Sequence, residues 1–495
     1  MRTVYWAGFL LYSALVIYVG WRGYRRARHP ADADVDFWAA GKSLGPWATG
    51  LSISASFMSI SWSCVYAVQL VYWYGVGALW LLAIPWLVVM AGYYVLAPRF
   101  RRIPAFSQPE MLAQRFGPQV RAYLALPLAF VFTVWGGAEI FAAAQILSPI
   151  LEAPFHVILA LVALVVATYS YLGGFSAVVT TDKVQFALVA FFIVTISVVA
   201  GAAVSKQQPL VQALQHLPNA PKTGTSPWVW FAAGPALIGM TLVAYLPGWV
   251  VETDIWLRLQ AARSTRAARQ GVLVAGFNSL VFIALLPLVI GLAALFLYPP
   301  LNGQIPVELN DGAAIFALLL RDHTPALLSV LLVVGLAAAS MSTIDTCSNV
   351  MALSLSYDLL EPHLVAKKRN VNLRRVARAM SGGAVLVAYA YALFTESLWD
   401  IFYLSSGILT TTLFMPMVAL FRPHATARQV KAAATAGFVA TVVFYFLEKY
   451  GLLASVQPEW LSQTGLGYIV WGLLSSGLGY ALGKSGAKEA ASAAR

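Results

Sequence analysis

Charged residues are scarce in this chain. They make up 11% of its 495 residues, whereas 60% of the residues are apolar, and a soluble domain of ordinary composition has about 25% charged residues. So little charge cannot cover the surface of a soluble protein of this length, and so apolar a chain is not disordered. The composition therefore predicts a polytopic, all-α membrane protein.

Cysteine and histidine are also rare. The two cysteines, Cys64 and Cys347, both lie in apolar segments, which argues against a disulfide framework. The six histidines lie in loops or at span edges and show no metal-ligand spacing. No His/Asp/Glu constellation supports an integral membrane enzyme, so we do not expect catalytic residues.

Long apolar runs, in contrast, are abundant. Runs of about 18 residues or more, the length that crosses a bilayer, occur thirteen times, and we number them as spans 0 to 12. Their limits are 4–21, 47–70, 76–98, 122–150, 155–173, 183–204, 228–250, 271–297, 326–356, 379–396, 399–421, 430–448 and 465–483.

The basic residues are distributed unevenly between the loops. With the N-terminus outside, 27 of the 32 Lys and Arg residues fall in cytoplasmic segments, as the positive-inside rule requires. The split predicts the N-terminus out and the C-terminus in. The net charge of +12 is then explained by topology, and no nucleic-acid partner is expected. We predict a multi-pass protein of the plasma (inner) membrane.

The chain reads as a single transmembrane domain, 1–495. Two spans are interrupted, and they lie five spans apart. Span 1 carries six serines between Gly50 and Cys64, and span 6 contains Gly234-Pro235 and Pro247-Gly248. Interrupted spans at matching positions indicate an inverted-repeat transporter, although Gly and Pro are common in membrane helices in any case. The predicted parts are an N-terminal span and loop (1–45), a first repeat (46–204), a second repeat (228–423), two C-terminal spans (424–484) and a tail (485–495).

Span 8 contains a second polar stretch, Gly335 to Asn349. Its small residues recur at helical spacing, which is also typical of tight helix packing. However, Asp345 lies among them, and a carboxylate within a span is a functional candidate. Hydroxyls, carbonyls and a carboxylate form an all-oxygen environment that suits an alkali cation.

Other acids have two interpretations each. One interpretation of Glu139, in span 3, is that it faces a cavity, and the other is that its carboxyl group pairs with a polar group on a neighbouring helix or is simply protonated. Asp182 either binds a cation or is the N-terminal acid of span 5, capped by a neighbouring threonine. Glu252 and Asp254 are expected to form no more than a surface ion pair with Arg258.

Four stretches together resemble the sodium/solute symporters, a family of carriers for proline, pantothenate, acetate, sialic acid and sugars. They are DFWAAGKSLGPWATGLSISAS, YSYLGGFSAVVTTDKVQ, RLQAARSTRAARQG and GLAAASMSTIDTCSN. The resemblance implies a LeuT-like, five-plus-five inverted repeat of about 13 helices. It also implies a sodium-coupled symporter that imports a small organic solute, such as an amino acid or a carboxylate, by alternating access.

The resemblance implies where sodium binds. The main site would combine the carbonyls of Ala55, Met58 and Ala339 with the hydroxyls of Ser342 and Thr343. A second sodium would use an acid at the start of span 5 together with groups on span 8. Those residues are Asp182, Ser342, Asp345 and Thr346, although Asp345 stands where members have serine.

The solute would bind beside the two breaks. The candidates are Ser56, Phe57, Ser59, Glu139, Trp249 and Ser405. Trp62 replaces the sugar carriers' polar residues, and Phe57 replaces an acid of the proline carriers, which counts against both solutes. An ionised Glu139 facing the cavity would favour an amino-bearing solute. Two other functions stay open, a proton-coupled transporter that uses Glu139 or Asp345 and a membrane sensor with a symporter-like domain.

Overall fold

The computed structural model of the protein describes residues 2–26, 42–103, 105, 107–173, 175–366, 372–395 and 397–493. Residues 36–41, which begin the first family-like stretch, lie outside this range, as does Gly174 of the second. Arg28, Lys367, Lys368, Arg369 and Arg495, which contribute to the count of basic loop residues, also lie outside it.

The described residues are helical and contain no strand, as the composition predicts. Each predicted span falls on a helix or on a pair of helices. The long helices are Arg2–Arg26, Ala83–Phe100, Gln119–Leu151, Phe155–Gly173, Phe175–Ser205, Thr265–Ser279 with Leu286–Leu297, Ala326–Ala352, Leu373–Ala392, Leu398–Ala419, Ala427–Lys449 and Gly467–Ala493. Nine described helices are long and apolar enough to cross a membrane, and each bent pair adds one more. The sidedness assigned from charge stays a prediction.

Spans 1 and 6 are the two bent pairs. The axis of span 1 turns by 60° between Pro46–Phe57 and Ile60–Trp80, and that of span 6 turns by 41° between Pro235–Trp249 and Thr253–Ala261. Both interruptions predicted from serine, glycine and proline are therefore confirmed. The boundary between spans 1 and 2 is wrong by seven residues, because the helix of span 2 begins at Ala83.

Spans 1, 3, 5, 6, 8 and 10 form the centre of the bundle. Span 8 packs against spans 1, 3 and 5, and span 10 packs against the first half of span 6. Span 0 packs against span 4, and spans 11 and 12 pack against each other. The broken spans are thus enclosed by the helices that carry the polar candidates.

Span 1 approaches span 7 closely. A Cβ on Gly50 would lie 2.6 Å from Cβ of Val274, and one on Gly271 would lie 2.7 Å from Cβ of Thr49. Both distances are below any real contact between such atoms, so only glycine permits this backbone separation. The first half of span 1 is therefore held against a long, continuous helix.

Shorter helices complete the chain. Those between the spans are Gln108–Phe116, Leu210–Gln215, Ile315–His323, Glu361–Ala366 and Glu459–Ser462. A backbone bridge also joins the two broken spans, because Leu44 N–H donates to Ala261 O at 3.0 Å and Arg263 N–H donates to Leu44 O at 2.8 Å. The start of span 1 is therefore tied to the end of span 6.

Candidate sodium and solute sites

The break in span 1 lies at two residues. Met58 (φ −78°, ψ 63°) ends the first helix, and Ser59 (φ −93°, ψ 164°) is extended. The hydroxyl of Ser59 accepts the backbone N–H of Trp62 at 3.0 Å, so it caps the second half. The serine-rich segment of span 1 therefore includes both the break and Ser59, which caps the helix that follows it.

Hydroxyls of span 8 meet carbonyls of span 1 just before this break. Ser342 Oγ donates to Ala55 O and to Ala339 O, at 3.0 Å in both cases. Thr343 Oγ1 donates to the next carbonyl, that of Ser56, at 3.2 Å. Four of the five residues predicted for the main site therefore lie together. We call Ala55, Ser56, Ala339, Ser342 and Thr343 the neutral cradle, since its oxygen atoms carry no formal charge.

Met58, the fifth predicted ligand, lies at the break itself. Its N–H donates to Ser54 O at 2.8 Å, and its side chain is buried. Its role as a ligand stays a prediction.

Residues from four spans converge on Arg258, whose side chain is 1% exposed. The guanidinium donates to Asp254 through Nη1, to Asp182 Oδ2 through Nη2 at 3.3 Å and to Ser52 Oγ through Nε at 2.9 Å. Nη2 also lies 3.1 Å from the hydroxyl of Thr346. We call these five residues the arginine cluster.

The arginine cluster corrects two expectations. Asp254 and Arg258 do not form a surface ion pair, because both are buried, as is Glu252. Asp182 does not lie in the first turn of a helix, because its helix begins seven residues earlier, at Phe175. Asp182 instead accepts the hydroxyl of Ser52 and the guanidinium. The second half of span 6 therefore turns into the protein.

Asp345 lies beside the arginine cluster on span 8. Its Oδ2 accepts the hydroxyl of Tyr169 at 2.9 Å. Asp345 Oδ1 and Asp182 Oδ1 are both buried, and neither has a hydrogen-bond partner among the described residues. The predicted second site is thus partly assembled, with the hydroxyl of Thr346 bonded to Arg258 and two carboxylate oxygens unsatisfied.

The break in span 6 is stabilised by other parts of the chain. Tyr93 OH donates to Trp249 O at 2.7 Å and accepts the N–H of Glu252 at 2.9 Å. Gln108 Nε2 donates to Val251 O at 2.8 Å. These contacts satisfy backbone groups that the interrupted helix leaves free. No local pattern in the sequence indicated Tyr93 or Gln108.

A cavity lies between the breaks of spans 1 and 6. Five of the six predicted solute residues line it. The lining consists of Ser56, Phe57, Ser59, Trp62, Trp86, Phe132, Trp135, Glu139, Trp249, Glu252, Asp254, Thr343, Thr346, Cys347, Phe402 and Ser406. Ser405 is not part of it. Its hydroxyl instead accepts the indole N–H of Trp135, which is a lining residue, at 2.6 Å.

Both interpretations of Glu139 are correct. The carboxylate is 2% exposed and lines the cavity. It also pairs with span 1, because it accepts the hydroxyl of Ser61 and, at 3.3 Å, the backbone N–H of the same residue. Glu139 therefore holds the second half of span 1 and presents its carboxyl group to the cavity.

Seven of the sixteen lining residues are aromatic, and sequence reasoning proposed only Phe57 and Trp249 among them as solute residues. The other tryptophans, Trp62, Trp86 and Trp135, lie in three different spans and cannot be assigned to one site from spacing. Trp62 was noticed only because it replaces the sugar carriers' polar residues.

The comparisons with known proteins agree with this geometry. The model of the sodium:solute symporter family matches residues 37–437. The sodium/glucose cotransporter of Vibrio parahaemolyticus is 26% identical over 479 residues, which cover 89% of this chain and 84% of that protein. Sodium/proline symporter 2 of Staphylococcus saprophyticus is 24% identical over 363 residues, which cover 70% of this chain and 67% of that protein.

The fold is similar to that of a sodium-coupled sialic acid symporter solved in a substrate-bound, outward-open state. The TM-score is 0.73 at 19% identity, and the match covers 96% of this chain and 98% of that one. The LeuT-like fold that the family resemblance implies is therefore confirmed. Since the family model covers most of the chain, this multi-pass membrane protein belongs to the sodium:solute symporter family.

Proposed function

We propose that this protein is a sodium-driven symporter that imports a small organic solute by alternating access. The observation that carries the proposal is the neutral cradle, where span 8 hydroxyls meet span 1 carbonyls at the break. A helix break releases carbonyls for a cation, and oxygen ligands of this kind suit sodium.

Sodium in the cradle would link two separate elements. The carbonyl of Ala55 belongs to the broken span, and the hydroxyls of Ser342 and Thr343 belong to span 8. Ser342 and Thr343 now donate to carbonyls, and on binding they would turn their oxygen lone pairs to the ion. Because Ser56 and Thr343 also line the cavity, the same step would set one wall of the solute site.

We also propose a second cation beside the arginine cluster. Asp182, Asp254 and Asp345 face a single guanidinium, and Oδ1 of both Asp182 and Asp345 lacks a partner among the described residues. Buried carboxylates without a counter-charge are costly. A second sodium between these oxygens would reduce that cost.

Sodium binding can be tested before the solute is known. We expect sodium chloride to raise the unfolding temperature of the purified protein above that in equal potassium chloride, because a ligand stabilises the state it binds. Thr343→Ala should shift the sodium half-saturation to higher concentration. Thr133→Ala is the matched control, since Thr133 Oγ1 bonds within its own helix, to Ala129 O at 2.7 Å.

Transport is tested by radioactive sodium entering proteoliposomes. Pools of amino acids, carboxylates, sugars and organic ammonium compounds should each be offered at fixed pH, and one pool should stimulate sodium entry. Equal stability in both salts, or solute uptake driven by a proton gradient without sodium, would overturn the proposal.

A further inference from the structure

The walls of the cavity are unusual for a site that binds a polar solute. Seven of the lining residues are aromatic, and they come from spans 1, 2, 3, 6 and 10. They are Phe57, Trp62, Trp86, Phe132, Trp135, Trp249 and Phe402. We call them the aromatic box.

Several ring pairs of the aromatic box stand nearly perpendicular, although Phe57 and Trp86 meet at 48°. The ring planes of Trp62 and Trp249 meet at 76° with centroids 5.4 Å apart, and those of Trp62 and Phe402 meet at 80° with centroids 4.7 Å apart. Trp86 and Trp249 meet at 71°. Perpendicular rings form the adjoining walls of a corner.

Three of the four indole N–H groups of the box are already used. Trp86 Nε1 donates to Ser279 Oγ at 2.8 Å, Trp249 Nε1 donates to Ser406 Oγ at 3.1 Å, and Trp135 donates to Ser405. These three rings therefore offer a solute apolar and π-electron surface in place of donors. Such a surface attracts a cation and offers little to an anion.

The charges of the cavity have the complementary sign. Glu139, Glu252 and Asp254 line it, and none of the described lining residues is Lys or Arg. The guanidinium of Arg258 bonds to Asp254 and Asp182, so it is already shared by two carboxylates. A carboxylate on the solute would find no basic side chain in this lining.

Glu252 supplies a second, independent indication. It is 1% exposed and lines the cavity. Its Oε2 is buried and has no hydrogen-bond partner among the described residues. A positive group on a solute would satisfy this buried carboxylate oxygen.

We infer that the solute is an organic ammonium cation without a carboxylate, with its alkylated nitrogen in the aromatic box and its charge opposite Glu252. This rests on the proposed function, which it deepens by naming the solute class. Aromatic cages with a nearby carboxylate bind alkylated ammonium groups because the rings hold the methyl groups and the negative π faces attract the charge.

The test uses purified full-length protein in sodium chloride and a matched pair of probes. Hydroxypropyl-trimethylammonium carries the charge, and its analogue with a quaternary carbon in place of nitrogen has the same shape without it. Binding is followed by tryptophan fluorescence and by unfolding temperature. We expect the cation to bind at least about tenfold more tightly than the neutral analogue. Equal affinity would overturn the inference.

A third probe and two variants sharpen the result. The zwitterion that carries a carboxylate in place of the hydroxyl should bind more weakly than the cation, and tighter binding would overturn the inference. Glu252→Gln should weaken binding of the cation and leave binding of the neutral analogue unchanged. Glu448→Gln is the control, because Glu448 lies outside the cavity and bonds to Gln457 at 2.8 Å. The comparison of probes in the unaltered protein stands even if Glu252→Gln fails to fold.

The outcome separates this inference from the proposed function. Stabilisation by sodium without binding of the cation would overturn the solute class and leave sodium coupling intact. Binding of the cation with no response to sodium would overturn the coupling and leave the solute class intact.

Discussion

The neutral cradle and the arginine cluster meet span 8 on the same face, about one helical turn apart, since Ser342 and Thr346 are an i,i+4 pair on one helix, yet their oxygen atoms differ in charge. The cradle has only carbonyls and hydroxyls, satisfied by one another at 3.0–3.2 Å. The cluster has carboxylates and already holds a cation of its own, Arg258. A cation could therefore leave the cradle without exposing an uncompensated charge. If the cluster lost the charge of Arg258, its buried carboxylates would be uncompensated.

The largest effect is therefore expected at Arg258. Arg258→Gln leaves Asp182 and Asp254 buried without their counter-charge, which costs about 3–5 kcal/mol for a broken buried pair. Thermal unfolding of the variant should begin far below that of the unaltered protein. The double variant Arg258→Gln with Asp254→Asn should recover part of the loss. If Arg258→Gln were as stable as the unaltered protein, the arginine cluster would not depend on its cation, and the contrast with the neutral cradle would be wrong.

The cradle should respond with a smaller and more selective effect. Ser342→Ala removes the hydroxyl shared by Ala55 O and Ala339 O, and we expect the sodium half-saturation to rise about tenfold, equivalent to about 1.4 kcal/mol, with little change in unfolding temperature without sodium. Ser340→Ala is the control on the same helix, since Ser340 Oγ donates to Ala337 O. A similar shift in both variants would contradict a local role.

The smallest effect is expected from acidification. Carboxylates bind protons and compete with sodium, whereas carbonyls and hydroxyls do not. Because burial lets carboxylates take up protons well above the pH at which exposed ones do, sodium affinity at the cradle should stay constant between about pH 7 and about pH 5 while the second sodium is lost. The Hill coefficient for sodium should then fall toward one, and Asp345→Asn should give the low value at both pH values. If Asp345→Asn keeps cooperative sodium binding, then Asp345 is not a ligand of the second sodium.

The sequence was informative where neighbouring residues act on one another. The serines of span 1 predicted the break because a serine run weakens the helix and caps its next half, as Ser59 does for Trp62. Four of the five cradle residues could be predicted to lie together because they fall in two compact motifs that resemble those of the family. Sequence position also identified Asp345 and Glu139 as exceptional acids in apolar spans.

The sequence failed where a side chain acts far from its position in the chain. Arg258 follows the apolar run of span 6, so it was assigned to a surface loop. The 41° bend instead carries the second half of span 6 inward, toward Ser52 and Asp182. Tyr93, Trp86 and Trp135 were missed for the same reason, since only the packed helices bring them to the breaks.

The absence of charge in the cradle also has an electrical consequence. Because its ligands are neutral, a sodium ion bound there keeps its full charge, and that charge crosses the membrane field with the loaded carrier. Inward movement through about 100 mV releases about 2.3 kcal/mol, and a tenfold sodium gradient adds about 1.4 kcal/mol. One ion could then sustain accumulation of a neutral solute by a factor on the order of 500. A cationic solute would bring a second charge through the same field. For such a solute, the membrane potential would contribute more of the energy for uptake than the sodium gradient would.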